Sequence, residues 1–227
     1  MIVVVGSGLV AVTAAQSILE QGHEVMLTTA HAEFGFPHGG CGFWDTSVLE
    51  WPLRTLEEAV AAQDGSHVTC RSQWLVKRLV HRFTAAGGKT STRVRLQQLE
   101  GEWHAAGTGT VPLEDVHHVL LADQDVAEPS TSAGLPLMPH AQACMWYGAV
   151  VAEGTTVDAE HVGQRADGSI EIWTREASDL DALKPFTLES MTQVWDEEDQ
   201  PLNAAWCAHR AVETVHDLMA SGRLDKA

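Results

Sequence analysis

Apolar residues fill the first five positions, Met1–Val5, without interruption. A short β-branched run of this kind predicts a strand buried on both faces of a parallel sheet. Gly6-Ser7-Gly8 follows, then a helical stretch from Leu9 to Glu20 with Ala11, Ala14 and Ala15 on its early turns and Gly22 as its stop. His23–Thr28 predicts a second strand. Farther on, Leu75, Val76, Leu79, Val80 and Phe83 recur at helical spacing behind Ser72, and Gly87-Gly88 ends the run. Strand-like patterns cover Thr92–Leu99, Gly101–Ala106, Val116–Asp123, Met145–Ala152 and Ser169–Thr174, with Asp167-Gly168 as the turn before the last. Thr55-x-x-Glu58 has the form of a capping box for a short helix to Ala62. Residues 124–140 carry three prolines among Ser and Thr and predict a linker. Asn203 is placed to cap a last helix, whose inner stripe is Ala204, Ala208, Ala211, Val212, Val215 and Met219 and whose stop is Gly222.

Composition narrows what this pattern can serve. The chain has 227 residues, 44% of them hydrophobic and 20% charged, which is globular composition. Fourteen Lys and Arg stand against 31 Asp and Glu, a formal charge of −17 that disfavours a nucleic-acid or anionic-membrane partner. No apolar stretch approaches the ~20 residues of a membrane span. No signal peptide is expected, so the four cysteines at 41, 70, 144 and 207 are expected as reduced thiols in a cytoplasmic protein. They are not in zinc-like spacing, and no metal site is expected.

The start of the chain carries the most chemistry. Strand, glycine turn, helix and second strand within ~30 residues give a Gly-x-Gly-x-x-Ala turn the context of a dinucleotide site. Gly6 permits the tight turn, and Gly8 lets backbone approach a pyrophosphate that a Cβ would obstruct. Ala11 allows close helix–strand packing, and the N–H groups that follow Ser7 and Gly8, at Leu9, Val10 and Ala11, face the anion. An acidic residue normally ends the second strand and binds a ribose hydroxyl. Thr29 stands there instead, with Glu33 four residues on, so NAD, NADP and FAD are not separated by this position.

The segment Val3 to Gly42 resembles the N-terminus of the two-dinucleotide-binding-domain flavoproteins, and the order of the Ser72 helix, the Gly87-Gly88 turn, the two strands Thr92–Leu99 and Gly101–Ala106 and the Val116–Asp123 strand resembles the FAD domain of the geranylgeranyl-reductase and hydroxylase type. The resemblance implies FAD, with NAD(P) as the alternative. It also implies that Phe34–Trp44, which includes Gly39 and Gly40, is a loop close to the flavin. A glycine-rich surface loop is the other reading of the same residues. Arg71 resembles an arginine before the corresponding helix. Thr192–Asp196 resembles the second flavin fingerprint, with Asp196 as the ribityl acid and Trp195 in place of a glycine. The expected fold is α/β: a single FAD/NAD(P)-binding Rossmann-type domain over 1–227, with a parallel sheet and a small antiparallel meander. Residues 1–124 and 187–227 form its core, and 125–186 a linker plus a short β insertion.

Catalytic candidates are few. Cys41 lies three residues after His38, and on a bent loop the imidazole can lower the thiol pKa to give a nucleophile and base. The alternative is a buried thiol acting as a small hydrophobe. The sequence thus points to a compact flavin-dependent oxidoreductase. The alternatives are a non-catalytic dinucleotide-binding or regulatory protein, or one subunit of a larger flavoenzyme. A homo-oligomer and a partner subunit both remain open.

Overall fold

A computed structural model describes residues 1–36, 40–53, 61–122, 134–137, 143–159, 161–196 and 203–224. In chain order the elements are β1 (Ile2–Val5), α1 (Leu9–Glu20), β2 (Val25–Thr28), β3 (Phe43–Asp45), β4 (Ala62–Asp64), β5 (His67–Thr69), α2 (Ser72–Ala85), β6 (Lys89–Ser91), β7 (Val94–Leu99), β8 (Glu102–Gly107), β9 (His118–Leu121), β10 (Leu135–Pro136), β11 (Ala143–Val151), β12 (His161–Gln164), β13 (Ile170–Thr174), β14 (Thr187–Asp196) and α3 (Ala204–Ala220). The expected capping box at Thr55–Glu58 and most of the expected linker lie outside the described residues. Among the described residues, no helix is long and apolar enough to cross a membrane.

The chain divides into two compact units. Residues Met1–Pro37, Val76–Pro139 and Ala208–Ala227 form the first, and His38–Leu75 with His140–Cys207 the second. β14 pairs with β11 over nearly its whole length, which draws Thr187–Asp196 into an antiparallel sheet with Ala143–Val151.

The first unit holds a five-stranded parallel sheet in the order β10-β9-β1-β2-β6. β1 is buried throughout, and its alternation decides the layers. Ile2 and Val4, with Leu27 and Leu120, pack against Ala11, Ala15 and Ile18 of α1, Phe83 of α2 and Ala211 and Val215 of α3. Val3 and Val5, with Met26 and Val119, pack against Val94, Leu96 and Trp103 of the β7–β8 hairpin. A fully apolar strand is therefore needed, because one face meets helices and the other meets the meander. The hairpin closes through Glu100 and Gly101, both at positive φ (52° and 90°), the backbone that a two-residue type I′ turn requires.

The second unit holds a four-stranded antiparallel sheet, β12-β13-β11-β14, and a three-stranded one, β3-β5-β4. Trp173 of β13 lies over Gly148 of β11, where an added Cβ would meet its ring carbons at 2.9 Å. Asn203 starts α3 as the sequence predicts. Its Oδ1 accepts the Ala205 N–H at 2.9 Å and the Asp45 N–H at 3.1 Å. Asn203→Ala leaves one buried and one half-buried donor without that acceptor. The expected loss is about 1–2 kcal/mol of unfolding free energy in urea, the upper range for a helix cap. A loss below about 0.3 kcal/mol, within the noise for surface substitutions, would contradict the capping role.

Candidate functional site

In the first unit, the turn after β1 is held from both sides by backbone. The Gly6 N–H donates to the Thr28 carbonyl at 2.8 Å, and the Ser7 carbonyl accepts the Gly35 N–H at 2.7 Å. Gly8 is the N-cap of α1 at φ −101°, ψ −169°, with no side-chain cap and no acidic residue in the first turn. The first intrahelical bond runs from Val12 N–H to Gly8 carbonyl, so the N–H groups of Leu9, Val10 and Ala11 precede the ladder. A Cβ built on Gly8 meets nothing within 4 Å, so the space in front of this Cα is open. Ala11 is fully buried against the sheet, as close helix–strand packing demands. The unscreened positive end of the helix dipole thus faces open space beside a residue without a side chain, an arrangement suited to an anion such as a pyrophosphate.

Topology adds a second reason. β1 runs between β2 and β9, and the chain leaves β1 toward β2 and β6 before returning to place β9 on the other side. The carboxyl end of β1, where Gly6 lies, is therefore at the switch point of the sheet, where ligands of open α/β folds bind.

The two ribose candidates differ in access. Thr29 is 1% exposed, and its Oγ1 accepts the His31 N–H at 3.2 Å. Its hydroxyl is built into the chain's own turn and presents almost nothing to a ligand. Glu33 lies on the surface in an ion pair with Lys77 at 3.1 Å. Of the two, only Glu33 offers an accessible carboxylate.

In the second unit the glycine loop is held by side chains of the sheet. Cys41 N–H donates to Gln193 Oε1 at 2.7 Å, and Gly42 N–H donates to Glu171 Oε1 at 2.7 Å. Glu171 is fully buried, and the same Oε1 also accepts the Trp173 Nε1–H at 2.7 Å. Its Oε2 accepts from Arg165 Nε at 3.0 Å and Nη2 at 2.7 Å. Arg165 is itself 4% exposed, so this is a buried ion pair. Arg165 Nη1 lies 3.9 Å from Glu189, which also pairs with Arg71. A Cβ at Gly42 would collide with the Cys70 carbonyl. Gly40 has room only up to Gln193 Oε1 at 3.1 Å. Sequence reasoning missed Glu171, Arg165, Gln193 and Glu189. A charged residue inside the apolar run Ile170–Thr174 was the available signal.

Cys41 is buried, and burial, then the nearby Glu171, pushes its thiol well above the ordinary 9.0, which disfavours a thiolate. His38 and Gly39 lie outside the described residues. Asp196 ends β14 opposite Ala143 in the antiparallel sheet. The five places of the parallel sheet are taken by other strands. The structure thus gathers Gly6, Ser7, Gly8, Leu9, Val10, Ala11, Thr29 and Glu33 in the first unit. Gly40, Cys41, Arg71 and Asp196 belong to the second.

The thiols give a test. Burial, then Glu171, also raises the Cys70 pKa, to about 12. No disulfide joins any of the four cysteines. A thiol whose folded pKa lies above its unfolded value adds stability that is complete below the unfolded pKa and is lost as pH rises through the folded one. The melting temperature should therefore fall progressively between about pH 9 and pH 12. Iodoacetamide at pH 8 should label Cys41 and Cys70 only after denaturation. Rapid labelling of Cys41 in the native protein would contradict its burial.

No family model matches the chain, and no curated protein matches it significantly. Solved structures do. A geranylgeranyl bacteriochlorophyll reductase-like protein from Thermoplasma acidophilum is 12% identical with a TM-score of 0.66, over 97% of this chain and 79% of that one. Glycine oxidase from Geobacillus kaustophilus is 10% identical with a TM-score of 0.62, over 100% and 96% of the two chains. A flavoprotein/dehydrogenase from Cytophaga hutchinsonii is 11% identical with a TM-score of 0.55, over 96% and 79%. The fold is therefore the FAD/NAD(P)-binding Rossmann type, a parallel sheet with added antiparallel sheets.

Proposed function

We propose that this chain binds FAD through the Gly6–Ala11 turn and is a flavin-dependent oxidoreductase. The observation that carries this reading is the open face of Gly8, at an uncapped helix N-terminus and at the switch point of the parallel sheet. The N–H groups of Leu9, Val10 and Ala11 receive the pyrophosphate. Ser7 holds the turn through its carbonyl, and Glu33 accepts from the adenosine ribose after release from Lys77. Gly40 and Arg71 lie in the second unit and are not used in this reading. Thr29 and Asp196 are assigned no part in it. The isoalloxazine supplies the redox chemistry when bound, and the protein supplies position and exclusion of water. Cys41 and His38 are given no catalytic role. The four cysteines, none in a disulfide, fit a cytoplasmic protein.

NAD(P) fits the same turn, and a non-catalytic dinucleotide-binding protein is the second reading. Thermal-shift titrations with FAD, NAD and NADP in parallel separate these readings. A ligand at about 100 times its Kd adds about 2.7 kcal/mol of stability. The expected result is a shift with FAD larger than with either nicotinamide dinucleotide, and a yellow protein. A shift with NAD or NADP alone replaces FAD by that cofactor. No shift with any of the three overturns dinucleotide binding.

A further inference from the structure

We propose that a cavity of the second unit binds a small organic monocation, an amine or guanidine on a short aliphatic body. The cavity has a volume of about 330 Å³, at the small end of the range for ligand pockets. Its lining residues run from Trp146 to Leu183 and so fall inside one unit. None of them belongs to the Gly6–Ala11 turn, so this site does not depend on FAD.

The lining chooses the ligand. Ile172, Trp173, Leu180 and Leu183 make apolar walls. Three carboxylates, Asp158, Glu176 and Asp179, stand around the same space, against one guanidinium, Arg175, and one imidazole, His161. Thr174 Oγ1–H donates to Asp179 Oδ2 at 2.6 Å, which fixes one of these carboxylates at the rim. Acids in excess beside apolar walls favour a positive ligand and oppose an anion.

Trp146 adds an observation independent of the acids. Its ring already carries a positive charge: the guanidinium carbon of Arg175 lies 5.0 Å from the ring centroid, within the range of a cation–π contact. His161 meets the same ring edge-on, with centroids 5.2 Å apart and planes at 72°. Trp146 is 2% exposed, and its Nε1–H has no hydrogen-bond partner among the described residues. Arg175, by contrast, is exposed. It holds the place that a free cation takes. The ligand's head replaces the guanidinium over Trp146, beside the carboxylates, and its aliphatic body lies on Leu180 and Leu183. An exposed cation–π contact is worth only about two- to fivefold in an equilibrium, so a ligand that adds apolar contacts displaces it.

The test titrates n-butylammonium, n-butanol and butyrate, one shape with three charges, into the isotope-labelled full-length chain without cofactor. The readout is the Trp146 Nε1–H resonance, because an indole N–H without a partner senses charge placed over its ring. Its loss in Trp146→Phe identifies it, or its displacement in Arg175→Ala if the first variant does not fold. The expected result is a saturable shift with butylammonium, a weaker response to butanol and none to butyrate. Arg175→Ala removes the internal competitor and should tighten butylammonium about two- to fivefold. Asp158→Asn with Glu176→Gln should weaken it at least about twofold. Butyrate binding that disappears in Arg175→Ala makes this an anion site and overturns the proposal. Equal responses to all three probes, or shifts shared by every indole signal, overturn it as well. Weaker butylammonium binding in Arg175→Ala overturns the displacement.

Discussion

Replacing Glu171 by leucine is expected to lower the unfolding free energy by at least about 3–5 kcal/mol, the range for breaking one side of a buried ion pair. Glu171 is fully buried, and its Arg165 partner is 4% exposed. Once the carboxylate is gone, the buried guanidinium keeps Glu189 at 3.9 Å, itself partly exposed, and its Nη1 already lacks a hydrogen-bond partner among the described residues. The Gly42 and Trp173 N–H groups lose their acceptor at the same time. Each buried unsatisfied donor adds about 1–3 kcal/mol to the loss. Replacing both members of the pair by apolar residues should recover part of the loss, since such swaps are often neutral. Urea denaturation of the two single variants and the double variant measures the coupling. A loss below about 1 kcal/mol in Glu171→Leu, the range of exposed pairs, would mean that water reaches this pair.

Gly8→Val is expected to abolish dinucleotide binding while leaving the fold unchanged. Its backbone, φ −101° and ψ −169°, is accessible to valine, and nothing lies within 4 Å of the position a Cβ would take. The substitution therefore meets no internal clash, and its effect on stability should stay within about 0.5 kcal/mol. The new side chain instead fills the space through which the first N–H groups of α1 reach an anion. Loss of those contacts should weaken binding by at least about a hundredfold, or about 2.8 kcal/mol. The pairing of an unchanged melting temperature with lost binding separates a blocked site from a broken fold. Binding that survives in Gly8→Val places the ligand elsewhere.

Much of the first unit was legible from local pattern. An uninterrupted Met1–Val5, a glycine turn and an alanine-rich helix demand a buried parallel strand and close packing, and both are present. The helix behind Ser72 and the cap at Asn203 were legible for the same reason, because their signals lie within a few residues of one another. The second unit was not. Thr192–Asp196 reads as a strand, but a strand's sequence does not name its neighbour, and the pairing of Ala143 with Asp196 is a non-local choice. Thr29 was a reasonable hydroxyl ligand by position. Its burial in a turn with His31 depends on how the chain leaves β2. Glu171 and Arg165 lie six residues apart around the Asp167-Gly168 turn, and only the folded sheet shows that both are buried with Gly42 between the carboxylate and Cys70.

The central claim is that the N-terminal helix turn holds FAD. Equilibrium dialysis of the full-length protein against FAD, beside Gly8→Val, tests it most directly. One bound FAD per wild-type chain and none on the folded variant is the predicted result. A folded wild-type protein that retains no FAD, or a variant that retains as much as wild type, would contradict it.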